Sequence, residues 1–289
     1  MGKLQYLVRR VANMDVSGLK SAVGTVSQRC GRAKISVLLD MVGCAVKYRA
    51  GYTDYRLFEF DSLTSAQRAT YVTRGKNNEY VKRLNPSQYW PLLNDKTAFL
   101  QRFDGLHGRE WLDLRKTTFE TFDDFCRRNP QFVVKPLDGT CGRGIELLDA
   151  AQIDDLRARY DACLQNGQFL VEQLVIQHED YARIYPLSVN TLRLVTMTKP
   201  GGQPAIVFSC IRLGNNGRRV DNLNSGGMAA LVDLEKGCIS TPGADKDGKL
   251  YSEHPTTGVT LKGAPLAYTR EAAQLVKEAA LRISELGYV

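Results

Sequence analysis

The sequence predicts an α+β protein behind a mainly helical N-terminal region, from three observations. Residues 35–48, ISVLLDMVGCAVKY, carry apolar side chains at helical spacing. Residues 131–147, QFVVKPLDGTCGRGIEL, read as a buried strand, a glycine-rich loop and a return strand. Residues 188–198, SVNTLRLVTMT, alternate in character, and AIVFSCIRLG follows a Pro200-Gly201-Gly202 turn as its antiparallel partner. The expected division is a helical region over residues 1–90 and a mixed domain over 91–289.

In the first region, Thr64 and Gln67 make a capping-box pair before a short helix. Tyr52, Tyr55, Phe58 and Phe60 form an aromatic group that is either core or the lining of a substrate pocket. Farther on, Asn94 is expected to cap a helix running DKTAFLQRF, which puts Lys96 in its first turn. The helix dipole opposes a lysine there unless an acid such as Asp95 or a bound anion offsets it. Thr121 is expected to cap the next helix, and Asp149 a third that stops at Asn166-Gly167.

The stretch around Lys135 is the most informative. Phe132, Val133 and Val134 make a buried strand that ends on Lys135. Gly139, Gly142 and Gly144 then free the backbone, and successive N–H groups in such a loop form a nest for anions. Lys135 and Arg143 add positive charge beside Asp138 and Thr140. Gly139 and Gly144 have the spacing of a Walker A loop, but Ile145 stands where its lysine belongs. The lysine here precedes the glycines. The plain alternative is a hairpin turn with an exposed lysine.

Beyond it, GQFLVEQLVIQ is an apolar strand interrupted by Glu172, and a lone acid in such a run is costly unless paired. On SVNTLRLVTMT, Asn190 and Arg193 are three apart and face opposite sides, and Arg212 lies near the end of the partner strand. The polar loop DNLNSGG contributes Asp221, Asn222 and Asn224 and leads into a strand with Asp233. Thr269 is expected to cap a last amphipathic helix, ended by Gly287, with Tyr288-Val289 beginning another strand.

A lysine on the strand before a flexible glycine loop resembles the ATP-grasp fold, two α+β subdomains gripping ATP. The run SVNTLRLVT, then DNLNSGG, then HPTTG at 254–258, resembles the sugar-transfer-associated, α-L-glutamate-ligase-related branch of that superfamily. The resemblance covers residue 35 to the end. It implies ATP and Mg2+ as cofactors, and a carboxylate and an amine as substrates joined through an acyl phosphate in polysaccharide or related biosynthesis. It makes Lys96, Lys135 and residues 138–144 the phosphate site. It makes Glu172, Gln173 and Leu174 the adenine and ribose site, and Asn190 a nucleotide contact. It assigns catalytic roles to Arg193, Arg212 and Asn222. The acids that hold magnesium in the superfamily lie on strands expected beyond Val289, so within these residues only Asp221 and Asp233 are candidates. A nucleotide-binding regulatory or scaffold protein with the same fold is the alternative.

Composition narrows the classes. At 289 residues, 43% hydrophobic and 24% charged, the chain is of ordinary globular make-up. The net charge of +8 suits an anionic ligand, and no recognised nucleic-acid module accompanies it. Seven scattered cysteines without a C-x-x-C pair argue against a disulfide framework or zinc site, and make a reducing cytoplasm the expected compartment. His107, His178 and His254 have no metal-ligand spacing. No signal peptide, myristoylation motif or membrane-spanning run is present, so integral membrane association is not expected.

Overall fold

A computed structural model describes residues 15–137 and 144–289. The chain divides into two compact units, residues 1–83 and 84–289.

The first unit is helical, with α1 (Val16–Cys30), α2 (Lys34–Lys47), α3 (Tyr52–Leu57) and α4 (Ser65–Thr70), followed by α5 (Arg74–Leu84). Asp15 caps α1 by accepting from the Gly18 N–H, and Gly31, at φ 69°, stops it by donating to Ser27 O. The inward faces of α1 (Ala22, Val23, Val26) and α2 (Val37, Met41, Cys44) meet in one core with Tyr48, Tyr55 and Phe60. The aromatic group is therefore core: Tyr55 and Phe60 are fully buried against each other, and Phe60 also meets the rings of Phe58 and Tyr71. The Thr64–Gln67 capping box forms as expected.

The second unit is built on two antiparallel sheets. The first contains β1 (Trp111–Asp113), β2 (Gln131–Lys135), β3 (Glu146–Asp149) and β4 (Leu170–Gln173), in the order β1-β4-β2-β3. The helices of this unit are α6 (Pro91–Asn94), α7 (Lys96–Arg102), α8 (Phe119–Arg128), α9 (Leu156–Gln165), α10 (Glu179–Ile184) and α11 (Thr269–Arg282). Phe132, Val134 and Val171 project from one face of the first sheet into a core with Phe122, Phe125 of α8 and Tyr160, Cys163 of α9. Period-two alternation then sends Val133, Lys135, Leu170 and Glu172 to the opposite face.

The second sheet contains β5 (Thr191–Met197), β6 (Ala205–Leu213), β7 (Met228–Asp233), β9 (Gly243–Ala244) and β10 (Leu250–Tyr251), in the order β10-β9-β7-β6-β5, while β8 (Cys238–Ile239) pairs with β7. Leu192, Ile211, Leu213, Met228, Ala230 and Val232 supply its core with Ile184, Leu261 and Leu266. Tyr288 and Val289 do pair, running antiparallel along β5: Thr196 and Val289 exchange both backbone hydrogen bonds.

Helix starts differ from the sequence expectation. Asp95, not Asn94, caps α7, its carboxylate accepting from the N–H groups of Thr97 and Ala98 at 2.8 and 3.1 Å. Thr118 rather than Thr121 caps α8. Asp149 caps only a short 3-10 turn, and Asp155 caps α9. Tyr268, at φ 59°, precedes α11, while the Thr269 hydroxyl donates to Leu234 O at 2.9 Å. Each true cap has its acceptor aimed at the free N–H two or three residues on, which neighbouring polar residues lack.

Candidate functional site

Lys135 ends β2 on the face of the first sheet turned away from the aromatic core. Opposite Val133 in the register stands Glu172, only 3% exposed. β4 lies between β1 and β2, so this glutamate is not an edge residue facing water. Its charge is met by two cations. Arg109, just before β1, places Nη2 and Nε 2.6 and 3.1 Å from Oε1, and Lys135 Nζ pairs with Oε2. A third cation stands beside them. Lys96, in the first turn of α7, donates from Nζ to the carbonyls of Pro136 and Leu137 at 2.8 and 3.0 Å. These two residues link Lys135 to the glycine loop. Burial, and then the charges of Arg109 and Lys96, lower the Lys135 ammonium to about 8.

The loop residues Asp138, Gly139, Thr140, Gly142 and Arg143, with Cys141, lie outside the described residues. Gly144 is described and needs to be glycine. Its φ is 70°, and a Cβ there would come within 3.1 Å of the Pro136 ring, so the chain leaving the loop crosses closely over the chain entering it. After β4, the Gln173 backbone and side chain are held by Glu110, whose N–H donates to Gln173 Oε1 at 3.1 Å. Leu174 is half-buried and starts an apolar linker in which Val175 and Ile176 are 45% and 91% exposed.

On the second sheet, Thr191 is paired with Arg212 and Arg193 with Cys210, which puts both arginines on one face. Burial pushes the Cys210 thiol up, and the two guanidiniums beside it pull it down. Arg193 is exposed and has no ion pair among the described residues. Arg212 is held by Asp221, at 2.6 Å, and the Thr191 hydroxyl donates to the other oxygen of that carboxylate. Asn222 starts the turn of the DNLNSGG loop by accepting from Asn224 N–H at 3.0 Å. Gly226 closes the turn at φ 92°, and a Cβ on Gly227 would lie within 2.8 Å of two backbone carbonyls.

The second unit thus carries Lys135 on one antiparallel sheet and Arg193 and Arg212 on one face of a second. The model of the "sugar-transfer associated ATP-grasp" family matches residues 75–289. The chain belongs to this ATP-grasp family. No curated protein sequence matches it. Among solved structures it is similar to D-cycloserine synthetase DcsG, at 17% identity over 64% of this chain and 58% of that one, TM-score 0.35. It is also similar to N5-carboxyaminoimidazole ribonucleotide synthetase from Thermus thermophilus, at 10% identity over 62% and 56%, TM-score 0.31. A third is D-alanine–D-alanine ligase from Bacillus anthracis, at 13% identity over 66% and 69%, TM-score 0.23. The chain spans less than two thirds of the length of the first two.

Several ATP-grasp expectations change with the geometry. Asn190 lies just before β5, buried, and its amide is fully engaged. Nδ2 donates to Gln177 Oε1, Tyr181 O and Tyr185 O, and Oδ1 accepts from Gly214 N–H at 3.1 Å. A side chain so occupied anchors the linker that leads into β5. His254 of HPTTG is likewise structural. It is fully buried, faces the Tyr185 ring, donates from Nε2 to Gly214 O at 2.8 Å and accepts at Nδ1 from Thr256 N–H. Burial lowers its pKa, keeping it neutral.

Both magnesium candidates are engaged by groups of the chain itself. Asp221 is committed to Arg212 and Thr191. Asp233 closes the turn after β7, accepting from the N–H groups of Glu235 and Lys236. Asp221 lies in the loop before β7, and Asp233 ends that strand. Among the described residues, no three His, Cys, Asp or Glu side chains are grouped to hold an ion. Also among them, no helix is long and apolar enough to cross a membrane.

Arg109 is the site residue that sequence reasoning passed over. The signal was indirect: a buried acid at Glu172 demands cations, but only the β1–β4 register brings Arg109 to it.

Proposed function

We propose that the chain is an ATP-dependent carboxylate–amine ligase working through an acyl phosphate, in cell-surface polysaccharide or related biosynthesis, with its ATP-grasp domain over residues 91–289. The observation that carries this reading is the charge at the root of the glycine loop: Lys135 and Arg109 both sit on the Glu172 carboxylate, with Lys96 on the backbone carbonyls that lead into the loop. Among the described residues, two cations share this one buried anion, and a positive site of this kind suits a polyphosphate.

In this reading Lys96 and Lys135 neutralise the phosphates, and the loop of residues 138–144 excludes water from them. Glu172, Gln173 and Leu174 border the base and ribose. A carboxylate oxygen attacks the γ-phosphorus and ADP leaves. An amine then attacks the acyl carbon, loses a proton, and inorganic phosphate leaves. Arg193, exposed and beside Arg212, meets the charge on the transferring phosphoryl group, and Asn222 orients it.

The test has two parts. Calorimetry should show ATP binding. Incubation with ATP, pooled acids and hydroxylamine should then yield a hydroxamate, the trapped acyl phosphate. ATP binding without hydroxamate or phosphate release, across acid pools, would favour a nucleotide-binding scaffold. Absence of ATP binding would end both readings.

A further inference from the structure

The first unit carries a surface that its described residues leave uncovered. On α2, Ile35, Leu39, Val42 and Val46 are 63%, 66%, 54% and 65% exposed. Their spacing of four, three and four residues puts them on one stripe along the helix. The inward face is satisfied separately by Val37, Met41 and Cys44. The helix's one acid, Asp40, turns inward to Arg68, which donates to both of its oxygens at 2.8 and 3.0 Å. The outward face is therefore Lys34, Ile35, Leu39, Val42, Gly43, Val46 and Lys47, with no acid and a lysine at either end. A helix whose solvent face is apolar has the wrong face outward for a protein that meets only water.

We propose that this face of α2 docks the protein on an anionic lipid surface. Length, charge and area point to that occupant. At 14 residues the helix is about 21 Å long, short of the ~30 Å hydrocarbon core, so it lies in the interface plane. Valine, isoleucine and leucine side chains enter the acyl boundary, while Lys34 and Lys47 extend to headgroup phosphates, as in interfacial amphipathic helices. A second copy fits less well. Pairing two such helices, parallel or antiparallel, brings lysine against lysine. The stripe also offers on the order of 400 Å², half the ~800 Å² per partner of a stable interface. The inference is independent of the chemistry proposed for the second unit.

Flotation with vesicles tests it, using phosphatidylglycerol mixed equally with phosphatidylcholine, against phosphatidylcholine alone. The full chain should float with the anionic vesicles, less with neutral ones, and less as salt rises. Leu39→Glu with Val46→Glu should lower partitioning about tenfold or more at unchanged circular dichroism. Lys34→Gln with Lys47→Gln, both at exposed positions, should weaken anionic binding several-fold and flatten its salt dependence, which keeps the test valid if the glutamate pair fails to fold. Equal flotation of wild type and both variants would overturn the proposal. So would no flotation together with a wild-type dimer that the glutamate pair splits, which would assign the stripe to a second copy.

Discussion

Each unit of this protein surrounds a carboxylate with cations, and the two arrangements differ in what they stand beside. In the first unit, Asp40 receives the bidentate guanidinium of Arg68, the Tyr55 hydroxyl at 2.7 Å and a longer contact from Arg32 at 3.4 Å. Arg68 is itself pinned, donating from Nε to Phe60 O at 2.8 Å and lying over the Tyr55 and Phe60 rings. Burial pushes the Asp40 carboxyl up, but the hydrogen bonds from Arg68 and Tyr55 outweigh it and hold it at about 2. Every group in that cluster serves another, and it sits in the aromatic core. In the second unit, Glu172 is more deeply buried, and Arg109 and Lys135 share it, with Lys135 at the root of a glycine loop. A cluster packed among the aromatic rings of a helical unit ties helices together. A cluster of cations on one carboxylate, at the end of the strand that enters a glycine loop, is suited to an anionic ligand.

Removing each anion should break the two clusters differently. Glu172→Gln leaves Arg109 and Lys135 facing one another, and uncompensated buried charge costs about 3 kcal/mol or more. Urea unfolding should show that loss in the free protein. Saturating ATP should recover much of it, because the triphosphate restores the anion. A variant as unstable with ATP as without it would mean that the cluster is structural, like that of Asp40.

Removing the cations should sharpen the contrast. Lys135→Ala is expected to weaken ATP binding between about tenfold and a hundredfold, the loss of one charge-assisted phosphate contact. Calorimetry giving equal affinities would remove Lys135 from the nucleotide site. Asp40→Asn should leave ATP affinity unchanged and cost about 2 kcal/mol of stability at neutral pH, from the drop of the carboxyl from 3.8 to about 2. The sign is that of a depressed acid. The contribution is complete above about pH 4 and lost as pH falls toward 2, so wild type and Asp40→Asn should converge in stability across that interval. Parallel acid-unfolding curves would show that the Asp40 network contributes nothing.

How much of this was legible in the sequence follows from the range of the interactions. The Thr64–Gln67 capping box and the hairpin at Pro200-Gly201-Gly202 are local, and both are read directly from neighbouring residues. Helix starts were read to within a few residues only, because Asn94 and Asp95, or Thr118 and Thr121, are each capable caps, and the exact backbone turn selects one. Asn190 reads as a polar residue at a strand start. Its partners, Gln177 and Gly214, stand 13 residues before and 24 after it, and no pattern announces them. That Glu172 would need a counter-charge was legible; that Arg109 would supply part of it depends on strand register, which chain order does not fix.

The smallest expected effect separates the clusters on protonation alone. A lysine held at about 8 in the free protein is partly neutral just above that pH, whereas an approaching polyphosphate favours its charged form. ATP binding at pH 9 should therefore take up a fraction of a proton, and at pH 7, where Lys135 is already charged, this contribution should vanish. Calorimetry in buffers of different ionisation enthalpy measures the uptake directly. Lys135→Arg keeps the positive charge but cannot titrate in this range, so it should bind ATP without the pH 9 uptake. Asp40→Asn, in the cluster of the first unit, should leave the uptake as in wild type. If Lys135→Arg retained the full uptake, the titrating group would lie elsewhere, and the cations on Glu172 would not be what ATP meets on binding.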